Sequence, residues 1–148
     1  MNSKALDLNH SINWLKAGNV LVHPTESIWG MGCDALNESA IDLIFKLKQR
    51  PLNKNFIVLV KSYFSIKDFV INLNPDQEKL LNEKWPGPYT FLFTYNKNLP
   101  SHLMNDTGKI AIRVSNHLPI KNLLEVYKGF MVSTCLLYTS PSPRDSNL

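Results

Sequence analysis

A chain of 148 residues with 44% hydrophobic and 19% charged residues has the composition of one globular domain rather than that of a disordered protein. No apolar run approaches the roughly 20 residues that cross a bilayer, and the polar N-terminal stretch lacks the apolar core of a signal peptide, so we expect a cytoplasmic protein without a membrane segment. Two cysteines are too few for a disulfide framework, and the net charge of +4 favours anionic partners such as nucleotides or RNA.

Helix and strand patterns alternate along the chain. Ile12 and Leu15 lie at helical spacing after Asn9, which we expect to cap the first helix, and Gly18 ends it. Strands are predicted at residues 20–23, 28–33, 56–60, 89–95, 110–114 and 130–134, and further helices at 38–50, 62–70, 75–84 and 117–127. The alternation predicts a three-layer α/β fold, in which helices flank an open, twisted, mixed sheet.

The stretch from His23 to Pro51 carries hydroxyl groups and cations that suit an anion. Thr25 follows the first strand directly, and Lys48 and Arg50 come at the end of the next predicted helix. An arginine fork and a lysine point charge together bind phosphate well. The alternative, which generic grounds leave equally open, is that Thr25 caps a turn and the cations lie on a solvated surface.

Residues 30–35, GMGCDA, match the dinucleotide-binding pattern G-x-G-x-x-A. The next helix, however, is predicted to begin beyond the glycines, after Asn37, and no acidic residue ends the strand FIVLV to hold a ribose. We therefore favour close backbone approach at Gly30 and Gly32 over a dinucleotide site.

Two later strand ends also carry polar residues. Arg113 lies inside an apolar strand and needs a partner, for which a ligand anion and a structural salt bridge are both open. Ser115 follows at the strand end, where open α/β sheets bind ligands. Ser133 and Thr134 end the last strand. If this strand neighbours the strand of Arg113, we expect both hydroxyls to face the same crevice; the alternative is a simple strand-to-loop transition.

The histidines and cysteines have no metal-ligand spacing, so we predict no metal site. No Ser-His-Asp or Cys-His arrangement indicates a protein nucleophile.

Five segments occur in the order HPTESIWGMGCD, KLKQRPLNKNFIVLV, WPGPYTFLF, IAIRVSNH and VST. Together they resemble the YrdC-like family of threonylcarbamoyl-AMP synthases over nearly all of residues 5–134. The resemblance implies an open, twisted α/β sheet with a positively charged concave surface. It also implies a nucleotidyltransferase that converts L-threonine, bicarbonate and ATP, with Mg²⁺, into threonylcarbamoyl-AMP and pyrophosphate. That product feeds the t6A modification of tRNA, so tRNA and proteins of the t6A pathway are implied partners.

The resemblance implies a role for each residue that matches a family motif. Two cations would be catalytic and would hold the ATP phosphates and the threonine carboxylate: Lys48 and Arg50. Three residues would bind threonine: Thr25, Arg113 and Ser133. Two further residues would complete the ATP site: Lys54 and Ser115. We expect the basic side chains of these separate segments to converge with the threonine hydroxyl on one anionic pocket.

The C-terminal stretch departs from the family pattern. Cys135 stands where the family has a serine and Leu137 where it has an asparagine, both of which contact the nucleotide there. Residues 135–148, CLLYTSPSPRDSNL, show no apolar period beyond their start. We interpret residues 1–134 as a YrdC-like domain that is incomplete at its C-terminus, and 135–148 as a non-native tail or an ordinary disordered one.

Two other functions stay open from the sequence. The first is a non-catalytic module that binds tRNA or double-stranded RNA, and a salt-dependent RNA affinity without ATP turnover would favour it. The second is carbamoyl-adenylate chemistry on another acceptor, as YrdC-like domains perform in hydrogenase maturation. The lack of acylphosphatase and zinc-finger motifs argues against the second function.

Overall fold

The computed structural model describes residues 7–24, 29–48, 56–135 and 145–147. Five α-helices lie in these ranges: α1 Leu8–Lys16, α2 Glu38–Leu47, α3 Tyr63–Ile66, α4 Pro75–Lys84 and α5 Leu118–Tyr127. Seven strands lie there too: β1 Leu21–Pro24, β2 Trp29–Asp34, β3 Ile57–Leu59, β4 Thr90–Thr94, β5 Lys109–Arg113, β6 Met131–Cys135 and β7 Asp145–Asn147.

The strands form one mixed sheet in the order β1-β2-β6-β3-β5-β4-β7. The pairs β3–β5 and β4–β7 are parallel, and the other neighbours are antiparallel. Helices cover both faces of the sheet. The predicted three-layer α/β fold with a mixed, open sheet is therefore confirmed.

One face of the sheet, which we call the α2 face, packs against α2. Asn37 caps this helix as predicted, because its side chain accepts a hydrogen bond of 3.0 Å from the Ala40 amide. Ile44 and Phe45 then reach the sheet with no more than 1% of their surface exposed. Burial of each such side chain stabilises the fold by about 1.5–3 kcal/mol. This packing holds α2 against the sheet and so fixes the position of its C-terminal end.

The opposite face, which we call the α5 face, packs against α1 and α5. Leu15 and Leu123 are fully buried there, together with Leu59 and Met131 of the sheet.

The start of α1 differs from the prediction. Its cap is Asp7, whose carboxylate accepts a hydrogen bond of 3.1 Å from the His10 amide. The predicted cap, Asn9, was wrong, because the helix begins at Leu8 and leaves that residue inside its first turn.

The hairpin of β1 and β2 decides how the glycine motif is used. Gly30 and Gly32 lie within β2, opposite His23 and Leu21 of β1. A dinucleotide fingerprint requires its glycines at a strand-to-helix turn. The motif is therefore part of an antiparallel ladder, as the preference for close backbone approach predicted.

The last described strand lies at the sheet edge, where Asp145–Asn147 pairs with β4 in parallel. The native or foreign origin of residues 135–148 stays a prediction. Among the described helices, none combines the length and the apolar character that crossing a membrane requires.

Candidate functional site

The candidate site lies at the end of the sheet where β6 finishes at Cys135 and β3 begins at Ile57, which we call the β6 end. The opposite end of the sheet, where β5 finishes at Arg113, is called the β5 end. The two ends carry different predicted site residues.

Consecutive side chains of β6 point to opposite faces of the sheet. Met131 belongs to the core on the α5 face, and Val132 to the core on the α2 face. Strand alternation then directs Ser133 to the α5 face and Thr134 to the α2 face. The condition for a shared crevice is not met, because β3 lies between β6 and the strand of Arg113. The two hydroxyls also face opposite sides of the sheet, because the side-chain period of a strand is two residues.

The hydroxyl of Ser133 is held by a histidine that the sequence analysis had not assigned to the site. His23 Nε2 lies 3.1 Å from Ser133 Oγ. The exposed fraction is 0% for His23 and 7% for Ser133, so this is a buried contact. The sequence contains one signal for this contact: His23 is a polar residue at the end of the apolar run Val20–Val22. Buried polar side chains are nearly always paired, so a partner for His23 was to be expected.

Lys48 reaches the same end of the sheet from the α2 face. It is the C-cap residue of α2 and is half-buried. Its Nζ donates a hydrogen bond of 3.1 Å to Thr134 Oγ1. A cation at a helix C-terminus is favoured by the helix dipole, so α2 both delivers and stabilises this charge.

Arg113 lies on the other face. It is adjacent in register to Leu59, a member of the α5-face core. Its Nε donates a hydrogen bond of 2.8 Å to Thr90 Oγ1, and Thr90 is fully buried. This hydrogen bond orients the guanidinium group.

Arg113 and Ser133 therefore share the α5 face. Ser133 is in register with Ile57, and Arg113 with Leu59, so the two residues lie two strands and two residues apart. These spacings separate their Cα atoms by about 12 Å. The long arginine side chain and a molecule of amino-acid size together span a distance of about 12 Å.

The predicted convergence of the basic side chains on one pocket is not found for Lys48 and Arg113. Lys48 contacts a side chain of the α2 face, whereas Arg113 lies on the α5 face. The reason is that α2 covers one face while the alternation of β5 turns Arg113 to the other. The two faces meet at the end of β6, where Ser133 and Thr134 are consecutive residues.

Ser115 lies beyond the β5 end, away from Lys48. Its Oγ accepts a hydrogen bond of 3.0 Å from the His117 amide, at the start of α5. It lines a cavity of about 470 Å³ whose wall includes Lys61 and Lys121. The structure does not bring Ser115 together with Lys48 in one site.

Three predicted site residues lie outside the described residues: Thr25, Arg50 and Lys54. The described residues that flank these segments are at the β6 end. Pro24 pairs with Trp29 in the hairpin, and Ile57 pairs with Ser133.

Two buried groups, the Cys33 thiol and the Tyr127 hydroxyl, are held in their neutral forms. Burial, followed by the nearby Asp34 carboxylate, raises the pKa of the Cys33 thiol to about 12. Burial and a hydrogen bond with Asp34 raise the pKa of the Tyr127 hydroxyl as well. Cys33 is therefore a thiol, not a thiolate nucleophile, at neutral pH. Within the ranges that the structure describes, no three or more His, Cys, Asp or Glu side chains group as metal ligands.

Comparison with known proteins adds sequence and fold likeness to this geometry. The Sua5/YciO/YrdC family model, described as "Telomere recombination", matches residues 13–147. A Klebsiella pneumoniae protein named threonylcarbamoyl-AMP synthase is 34% identical over 136 residues, covering 90% of this chain and 72% of the relative. A protein of the same name from Cellvibrio japonicus is 33% identical over 127 residues, covering 86% of this chain and 67% of the relative.

Among solved structures, the fold resembles P. abyssi Sua5 complexed with L-threonine, with a TM-score of 0.78 and 24% identity. The superposition covers 86% of this chain but 37% of that protein. The chain thus spans about two thirds to three quarters of the two curated relatives and little more than a third of the structural neighbour.

Proposed function

The chain belongs to the Sua5/YciO/YrdC family, and we propose that it is a threonylcarbamoyl-AMP synthase domain. The reaction consumes L-threonine, bicarbonate and ATP and releases pyrophosphate. The observation that carries the proposal is a guanidinium group held by Thr90 and a hydroxyl held by His23, which share one face of the sheet.

The threonine site in this proposal lies between Arg113 and Ser133. The guanidinium of Arg113 binds the carboxylate of threonine, for which a fixed planar donor is well suited. Ser133 hydrogen-bonds the other end of the amino acid. Ile57 and Ala111 are half-buried residues that line the floor between them.

The nucleotide site in this proposal lies around Lys48. Its ammonium group, 3.1 Å from Thr134 Oγ1, offsets charge that builds on the phosphates during the reaction. Arg50 and Lys54 add positive charge, and Thr25 lines the junction between nucleotide and threonine. Mg²⁺ enters as part of the MgATP substrate, held by phosphate oxygens.

The chemistry requires no protein nucleophile. The threonine amine forms a C–N bond with CO₂ derived from bicarbonate and loses a proton, giving a carbamate. A carbamate oxygen then attacks the α-phosphorus of ATP, and the bond to pyrophosphate breaks. The residues of the chain contribute positioning and charge stabilisation. The two substrates meet over the end of β6, because its last hydroxyls face both sides of the sheet.

Pyrophosphate release tests this proposal directly. We expect release that requires both L-threonine and bicarbonate, and a product whose mass equals threonylcarbamoyl-AMP. Because Cys135 and Leu137 replace the serine and asparagine of the family pattern, the paired substitution Cys135→Ser with Leu137→Asn should lower KM for ATP about tenfold. Release that is indifferent to threonine but follows added carbamoyl phosphate would assign the chain to another acceptor.

The remaining partners are part of the same proposal. The product supplies t6A modification of tRNA, which places the reaction in the cytoplasm beside proteins of that pathway. Direct tRNA binding is a second proposal, favoured by the net charge of +4. A steep loss of tRNA affinity between low and high salt would support it.

A further inference from the structure

The imidazole of His23 occupies space that two glycines leave open. An added Cβ at Gly30 would lie 3.1 Å from His23 Cε1 and 3.3 Å from Ser133 Oγ. An added Cβ at Gly32 would lie 3.1 Å from His23 Nε2 and 2.7 Å from the Met131 methyl group. The ring thus lies on a glycine shelf, formed by Gly30 and Gly32, between β1 and β6.

The shelf explains why glycine occupies positions 30 and 32, which dinucleotide binding does not explain. Alanine at either position would push the imidazole away from β2 and so away from Ser133. The β1–β2 register sets His23 opposite Gly30, and the β2–β6 register sets Ser133 opposite Gly32. The histidine therefore crosses the ladder diagonally to reach the serine hydroxyl.

We propose that His23 is a positioning residue that fixes the hydroxyl of Ser133 for binding L-threonine, on the glycine shelf that makes room for its ring. The inference rests on the proposed function. A serine hydroxyl by itself samples three staggered orientations. The 3.1 Å contact with a fully buried ring selects one of them.

The contact also determines what the hydroxyl can offer a ligand. If Nε2 carries the proton, His23 donates, and the Ser133 proton stays available for a carboxylate. If Nε2 is bare, Ser133 donates, and its oxygen accepts from an ammonium group. In both tautomers the hydroxyl keeps hydrogen-bonding capacity toward threonine, in a direction that the ring sets.

The test compares His23→Phe with His23→Gln by calorimetric titration of L-threonine and by steady-state kinetics. Phenylalanine keeps a planar ring on the shelf but removes the nitrogen, whereas the glutamine amide places a nitrogen close to the position of Nε2. We expect His23→Phe to weaken threonine binding about tenfold and to leave KM for ATP within twofold. His23→Gln should restore threonine binding to within about threefold of the unmodified chain.

A double-mutant cycle with Ser133→Ala separates positioning from a general structural role. If His23 acts through Ser133, His23→Phe should change threonine affinity less than twofold in the Ser133→Ala background. An equal loss in both backgrounds, or unchanged affinity in His23→Phe alone, would overturn the inference.

Two further outcomes are decisive. If His23→Phe no longer unfolds cooperatively, His23→Gln is compared with His23→Asn, whose shorter amide does not reach the position of Nε2. Equal threonine affinities for these two variants would overturn the inference, and a tenfold advantage for glutamine would support it. Failure of the unmodified chain to bind threonine would overturn the proposed function itself, and the positioning role with it.

Discussion

The β6 end and the β5 end of the sheet both carry lysines and serines, but they hold them in different ways. At the β6 end, His23 and Ser133 are buried partners and Lys48 is hydrogen-bonded to Thr134. At the β5 end, Lys61 pairs with Glu125 at 3.3 Å with side chains that are 50% and 49% exposed.

The difference shows that cavity size alone does not locate a site. The cavity of about 470 Å³ lies near the β5 end, where the parallel strands β3 and β5 finish. The buried His23–Ser133 contact and the Lys48–Thr134 hydrogen bond lie at the β6 end, and Arg113, held by Thr90, lies two strands away on the α5 face. Catalysis by positioning requires groups that are already oriented before substrate binds, and the β6 end meets this requirement.

Removal of the Lys48 ammonium group should have the largest effect. Lys48→Ala is expected to lower kcat for threonine-dependent pyrophosphate release. The transition state should lose about 2–4 kcal/mol of stabilisation, by analogy with the loss of an oxyanion-hole donor. Lys46→Ala is the matched control, because Lys46 lies two residues earlier on α2 and is exposed. Equal activities for the two variants would contradict the assignment of Lys48 to the nucleotide site.

An alanine at the glycine shelf should destabilise the β6 end. Gly32→Ala would place a methyl group 2.7 Å from Met131 Cε, and such overpacking costs about 1–3 kcal/mol. Urea unfolding measures this cost.

Gly108→Ala is the comparison, since no heavy atom lies within 4 Å of its added Cβ and its φ is +75°. That variant should lose about 1–2 kcal/mol from backbone strain while leaving threonine affinity unchanged, whereas Gly32→Ala should lower both stability and threonine affinity. Unchanged threonine affinity in Gly32→Ala would contradict the role of the shelf.

The buried thiol beneath the site should make the fold sensitive to alkali. Because the pKa of Cys33 is raised from 9.0 to about 12 in the folded state, the unfolded chain releases this proton first as pH rises. Stability should fall above pH 9, with a contribution from this group of at most about 1.4 kcal/mol per pH unit. Unfolding free energies of Cys33→Ala, measured between pH 8 and about 10, should show a shallower slope. Parallel slopes for the two chains would exclude this origin.

The smallest effect is expected at the β5 end. Lys61→Ala breaks an exposed ion pair, which is worth about 0–1 kcal/mol, and should change neither threonine affinity nor pyrophosphate release. Thermal unfolding and the same kinetic assay measure both quantities. A large loss of activity in Lys61→Ala would move the site to the cavity near the β5 end and reverse the comparison of the two ends.

Local signals in the sequence predicted most of the elements, because caps and periodicity are local. Asn37 and Asn74 cap their helices, and Asn74 forms a capping box with Gln77. Faces and register are not local. Ser133 and Thr134 look like one polar pair in the sequence, yet the strand period separates them.

The candidate site was only partly accessible to the same reasoning. Lys48 was expected at the end of a helix, and α2 delivers it to Thr134. The role of His23 depends on the register of three strands, β1, β2 and β6. No pattern within one strand contains that information, so the pairing of His23 with Ser133 emerged only from the fold.

Residue-resolved amide NMR during titration with L-threonine tests the central claim most directly. If threonine binds between Ser133 and Arg113 on the α5 face, the amides of Gly30, Gly32 and Ser133 should shift together with that of Arg113, with one shared dissociation constant. The account is contradicted if the shifts are confined to Lys61, Ser115 and Lys121, or if no amide responds.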